Sequence, residues 1–251
     1  MSSNTVQSVN RALDILECFA QIKTEWNLVE LSEKIGLTPS TTHRLLNTLI
    51  QRRLIEHSGS TGKYKIGTRL FLLSGAIMNN SNLKNLAHPL LAELAEQTAE
   101  TVHLSILSGN EVFYLDKLEG PRSISIRSRI GQTLPAHVSG VGKVLLAYLP
   151  QDRQNELLDK VELKQFTVKS ITDKELLREH FKQIKRQGYA LDDEEFEEGL
   201  ICFAAPVFNQ DQRVIAAISV SGPIYRLSEK SDSHIRLLID TANSLTNILT
   251  L

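Results

Sequence analysis

Ser219 and Ser221 lie two residues apart in the run VIAAISVSG, which has the composition of a β-strand. Side chains alternate across a strand, so both hydroxyls face one side and can donate to one small anion. The same spacing also fits a solvated sheet face. Gly140 and Val141 open the helical segment GVGKVLLAYL, where free backbone N–H groups and the helix dipole favour a carboxylate and glycine permits close approach. Asp192 heads the run Asp192-Asp193-Glu194-Glu195. Such a run ordinarily forms a solvated turn, and adjacent carboxylates repel an anion. Cys202 sits inside the apolar run LICFAAPVF, where a thiol is an inert part of the core unless a neighbour lowers its pKa. A cysteine-dependent enzyme or redox sensor that uses Cys202 is the second reading of the chain.

Other chemistries find little support. His43, His57, His88, His103, His137, His180 and His234 are scattered, with no His-x-x-x-His or Cys-x-x-Cys pair to chelate a metal. There is no phosphate loop, GxSxG elbow or kinase signature. The expectation is a protein that is not an enzyme and uses no metal or cofactor. Cys18 and Cys202, far apart in sequence, are expected to stay reduced.

A second constellation lies near the N-terminus. Asn27 and Glu30 form a capping box for a helix with Leu28, Leu31 and Ile35 as its buried stripe, and Gly36 ends it. Thr38 and Pro39 then read as the N-cap and first position of a helix running to about Arg53, so two helices meet at a tight turn. Its inner face is Leu45, Leu46, Leu49 and Ile50, which leaves Ser40, Thr41, Arg44, Asn47 and Gln51 mainly outward and His43 at the border. A helix braced in this way can enter a DNA major groove. Ser40, Thr41 and Asn47 suit base edges, and Arg44 suits either guanine or a phosphate. Arg52, Lys63 and Lys65, with Arg53, cluster at the end of this helix and in Leu54 to Ile66, which reads as a two-stranded wing around Ser58-Gly59-Ser60-Thr61-Gly62.

The elements that must position these residues divide the 251-residue chain. Hydrophobic residues at 41% and charged residues at 23% supply cores for two ordinary domains. The net charge of -1 hides an asymmetry: residues 1–70 hold nine Lys or Arg against six Asp or Glu, which leaves the acidic excess to the remainder. A first helix from Val9 completes the winged helix-turn-helix, assigned to residues 1–67. The apolar segment at 68–82 reads as a linker helix, and Asn79-Asn80-Ser81-Asn82 marks a boundary. Residues 83–251 then form an α+β domain. It begins with a helix at Leu83 to Leu94, has strands at Val102 to Ile106, Val112 to Lys117 and Ser123 to Arg127, and adds a hairpin of Leu200 to Phe208 with Val214 to Val220. Further helices are expected at Gly140 to Tyr148, at Asp173 to Gln187 under a Thr172 cap, and at Ile235 to Ile248. No apolar run approaches the roughly 18 residues of a membrane helix, and the polar N-terminus lacks a signal-peptide core. A cytoplasmic protein is expected.

The chain resembles the IclR family of bacterial regulators over nearly its whole length. The resemblance rests on VQSVNRALDILECFA, LVELSEKIGLTPSTTHRLLNTLIQRRLI and GKYKIGTRLF, then on AHVSGVGKVLLAYLP, GYALDDEEFEEGLICFAAPVFN and VIAAISVSGP. Phe203 stands where the family usually carries an aliphatic residue. The resemblance implies a homodimer or homotetramer that binds a roughly palindromic double-stranded operator through paired winged domains. It also implies a C-terminal GAF-like domain that binds a small-molecule effector, an organic acid by expectation. Gly140, Val141, Asp192, Cys202, Ser219 and Ser221 match the walls of that effector pocket.

Overall fold

The computed structural model describes residues 5–20, 23–59, 62–70, 72–73, 82–122 and 128–250. They fall into two compact units, residues 1–81 and 82–251. Most of the linker helix expected at 68–82 lies outside the described residues, as do the strand expected at Ser123 to Arg127 and the wing residues Ser60 and Thr61.

In the first unit, α1 (Gln7–Cys18), α2 (Leu28–Ile35) and α3 (Pro39–Gln51) precede an antiparallel hairpin of β1 (Ile55–Ser58) and β2 (Lys63–Ile66). Asn27 Oδ1 accepts the Glu30 N–H at 2.9 Å while the Glu30 carboxylate accepts the Asn27 N–H at 3.0 Å, so the capping box starts α2 from both sides. Gly36, at φ 66°, ends it in the left-handed conformation that glycine adopts without strain. Thr38 caps α3 with Pro39 in its first turn. The helix stops at Gln51, two residues short of the expected end. Arg53 turns left-handed at φ 58°, donating to Ile50 O at 2.8 Å, while Leu54 donates to Leu49 O at 2.9 Å. Ile15, Leu31, Leu46, Leu49 and Ile55, with Trp26 and Tyr64, form one core beneath the helices and wing. Trp26 pairs its backbone with Tyr64 and so ties the chain before α2 to the hairpin.

Among the described residues, the second unit carries a six-stranded antiparallel sheet. Its strands are β3 (Thr101–Ser108), β4 (Glu111–Leu118), β5 (Thr133–Pro135), β6 (Ala190–Asp193), β7 (Leu200–Phe208) and β8 (Val214–Pro223), in the order β5-β4-β3-β8-β7-β6. One face packs on α4 (Asn82–Thr98) and on the long C-terminal helix (Ser231–Thr250) through Val102, Leu104, Ile201, Phe203, Ala205, Ile218 and Val220. The other meets α5 (Gly140–Ala147), which packs in turn with α6 (Gln151–Lys160) and α7 (Lys174–Gln187) through Val144, Leu145, Leu158, Leu177 and Phe181. Covered on both sides, β7 and β8 are apolar nearly throughout, where a half-exposed strand would alternate. Helix α6 has no counterpart in the sequence reading, because polar residues fill most of QDRQNELLDK. The cap of α7 is Asp173 rather than Thr172: its Oδ1 accepts the Leu176 N–H at 2.8 Å.

Helix α5 folds close against the turn at Ala136 because a glycine stands at the contact. A Cβ on Gly142 would stand 2.2 Å from the carbonyl oxygen of Ala136, a backbone atom that cannot swing away. Gly142→Ala is therefore expected to destabilise the second unit by about 1–3 kcal/mol, measured as a lowered urea midpoint. An unchanged midpoint would show that the Ala136 turn yields at no cost.

Candidate functional site

The sheet register assembles residues that are remote in sequence. Thr101 on β3 pairs with Ser221 on β8, Ser221 with Cys202 on β7, and Cys202 with Asp192 on β6. In the adjacent row, Lys117 on β4 pairs with His103, His103 with Ser219 and Ser219 with Ala204. Cross-strand partners share a face, so both rows lie beneath α5. A cavity of about 440 Å³ opens above them. Of the sequence candidates, Val141, Asp192, Cys202, Ser219 and Ser221 line it. Gly140 does not: it packs behind the wall, where an added Cβ would approach the Cys202 carbonyl oxygen to 3.2 Å.

Sequence reasoning missed the rest of the lining, namely His103, Tyr114, Ser128, Gln132, Leu134, Ser139, Phe196, Glu197 and Leu200. His103 had a readable signal, a polar residue between two core positions of an apolar strand. His103 is 2% exposed. Burial, helped by the charge of Lys117, pushes its pKa down to about 3, so the imidazole is neutral. Nε2 lies 2.7 Å from Ser128 Oγ, Nδ1 lies 3.4 Å from Ser219 Oγ, and the ring stacks obliquely on Tyr114 at 4.8 Å. Burial raises the Tyr114 phenol above its ordinary value. Ser139 caps α5, its hydroxyl accepting the Gly142 N–H at 3.1 Å.

The acidic run is not a solvated turn. Asp192 is 7% exposed and Glu195 is also buried, whereas Asp193 and Glu194 turn outward to pair with Lys169. Burial pushes Asp192 up to about 7, against the opposing pull of Lys143, while its Oδ1 accepts the Glu195 N–H at 2.9 Å. Lys143 is wholly buried. Its ammonium donates to Leu191 O at 2.6 Å and to Glu195 Oε1, which ties α5 to the strand and turn carrying Asp192. A single lysine in an otherwise apolar helix was the trace this pair left in the sequence. The Cys202 thiol is raised to about 12, first by burial and then by Asp192, so it remains protonated at neutral pH. Among the described residues no group of three His, Cys, Asp or Glu is placed to hold a metal.

On the first unit, Ser40, His43, Arg44 and Asn47 are exposed along α3. His43 is thus more open than its expected border position. Thr41, expected outward, is half-buried, with its hydroxyl 2.9 Å from Thr38 Oγ1. Arg52 and Lys65 are exposed, and Lys63 is half-buried. No helix among the described residues is long and apolar enough to cross a membrane.

Comparison with known proteins matches residues 8–59 to the IclR helix-turn-helix domain and residues 75–247 to the C-terminal domain of the bacterial transcriptional regulator IclR. The HTH-type transcriptional regulator XynR of Escherichia coli K12 is 38% identical over 231 residues, covering 92% of each chain. The transcriptional repressor IclR of the same organism is 35% identical, covering 91% of this chain and 84% of its own. Among solved structures, an IclR homologue from Microbacterium hydrocarbonoxydans complexed with 4-hydroxybenzoate superposes with a TM-score of 0.84 at 26% identity, over 97% of this chain and 99% of the other.

Proposed function

The chain belongs to the IclR family of bacterial transcriptional regulators, and on that footing we propose that a small organic acid bound over β6, β7 and β8 modulates its hold on operator DNA. It is a DNA-binding transcriptional regulator. The observation that carries the effector reading is the cavity of about 440 Å³, whose wall brings Ser219, Ser221, Asp192 and the first turn of α5 together. Hydroxyls and a helix N-terminus suit a carboxylate, and the apolar side chains of Leu134, Phe196 and Leu200 suit the body of the acid. The solved relative that holds 4-hydroxybenzoate supports the same class of ligand. The regulator acts in the cytoplasm as a homodimer or homotetramer, since two recognition helices held together read two half-sites of an operator. The effector shifts the population of assembly geometries that fit the operator.

A thermal-shift screen of organic acids, followed by operator titrations with each acid that raises the melting temperature, tests this reading. The expected result is an acid that both stabilises the protein and changes operator affinity. Acids that bind yet leave operator affinity unchanged would refute the mechanism.

For the DNA contact, Arg44→Ala is expected to weaken specific operator binding by about 1–3 kcal/mol while sparing random DNA, because guanine takes two hydrogen bonds from one guanidinium. Lys65→Ala is expected to weaken both similarly, as a phosphate contact does. Fluorescence anisotropy on the two DNAs separates the cases, and equal losses for Arg44→Ala would remove its base-reading role. The enzyme reading through Cys202 is disfavoured by a thiol held protonated. Slow alkylation at pH 8 is expected, and rapid alkylation would reopen it.

A further inference from the structure

We propose that His103 is a positioning residue, held by Ser128 as the Nδ1–H tautomer so that the Ser219 hydroxyl proton is free to point into the cavity as a donor. The inference rests on the reading of that cavity as the effector site. A neutral imidazole has one N–H and one bare nitrogen, and each of the two nitrogens of His103 faces a serine hydroxyl. The consequence for Ser219 depends on which nitrogen is bare. If Nδ1 were bare, it would capture the Ser219 hydroxyl proton, and the oxygen would offer only lone pairs, which repel a carboxylate. If Nδ1 carries the proton, it donates to the Ser219 oxygen, and the hydroxyl proton is left for a ligand or for the Cys202 sulfur that Ser219 also meets.

Two observations favour the second arrangement. Nε2 lies 2.7 Å from Ser128 Oγ. That distance is the usual length of a bond donated by a hydroxyl and the short limit of the N–H···O range of about 2.7–3.2 Å. On that length Ser128 is assigned as the donor and Nε2 as the acceptor. On the same side, the Lys117 ammonium, which also pairs with Glu119 at 2.8 Å, bonds the Ser128 carbonyl at 3.0 Å. Its positive charge lowers the His103 pKa and, on the Ser128 side of the ring, favours a lone pair over an N–H. Burial fixes the neutral state that makes the choice binary.

Long-range proton–nitrogen correlation NMR on the full chain labelled with ¹⁵N-histidine reads the tautomer, with His103 assigned from the signals missing in His103→Asn. The wild-type protein without ligand is expected to show a protonated Nδ1 and a bare Nε2. Ser128→Ala is expected to lose that preference and to weaken about tenfold any acid selected by the thermal-shift screen. An Nε2–H tautomer in the wild type overturns the inference and leaves the effector reading intact. A changed tautomer in Ser128→Ala with unchanged acid affinity overturns the positioning role. Failure of every acid to bind counts against the effector reading alone, because the tautomer is read without ligand.

Discussion

Lys143→Ala is expected to lower the unfolding free energy of the second unit by about 3–5 kcal/mol, the largest effect of any single substitution considered. The ammonium is wholly buried and bonds both Glu195 and the Leu191 carbonyl. Without it, the Glu195 carboxylate is left buried with no countercharge and Asp192 loses the cation that opposes its desolvation. The intact pair is a different matter, because desolvating two charges offsets most of their attraction. Lys143→Met combined with Glu195→Gln is accordingly expected to recover much of the loss. Urea unfolding followed by far-ultraviolet circular dichroism measures both. Trp26, the chain's one tryptophan, reports on the first unit and should keep its midpoint. A single variant as stable as the wild type would mean that water or a rearranged turn reaches Glu195.

Asp192→Asn is expected to flatten the pH dependence of stability between about pH 4 and 7. In the folded chain this carboxyl is raised to about 7 from an ordinary 3.8, chiefly by burial. Within that window the folded protein keeps a proton that the unfolded chain has released. The stability linked to Asp192 is thus fully present below about 4 and is lost as pH rises through 7. The loss proceeds at up to about 1.4 kcal/mol per unit, or about 4 kcal/mol across the window. Asparagine keeps an oxygen to accept the Glu195 N–H but has nothing to ionise. At pH 8 the variant should therefore be more stable than the wild type, and near pH 4 the two should converge. Urea midpoints across the range give the difference curve. A flat curve would show that Asp192 ionises freely in the fold.

The tautomer of His103 and the proton on Asp192 are two local settings of one cavity wall, and both bear on the proposed acid ligand. Ser219 and a protonated Asp192 offer donors, whereas an ionised Asp192 offers only charge of the wrong sign for a carboxylate. On the proposed reading, the cavity is expected to take an organic acid better near and below neutral pH than above it.

Local rules carried the first unit. The Asn27–Glu30 box, the Gly36 stop and the Thr38-Pro39 start each act within a few residues, so the sequence alone determined where α2 and α3 begin and how tightly they join. The exposed row Ser40, Arg44 and Asn47 followed from helical periodicity on the same short range. The serine pair was legible too, because a spacing of two in a strand dictates a shared face.

What required tertiary structure was everything set by strand register and by pairing across long separations. Asp192, Cys202 and Ser221 come into line because β6, β7 and β8 pair at one register, and no local signal fixes that register. His103 reaches Ser219 from 116 positions away in the chain, and Lys143 reaches Glu195 from 52. For the acidic run, composition alone indicated solvent. Only the fold revealed that two of its four carboxyls are buried and that one of them has a lysine behind it, since the charge state of a buried group depends on neighbours from every strand and helix around it.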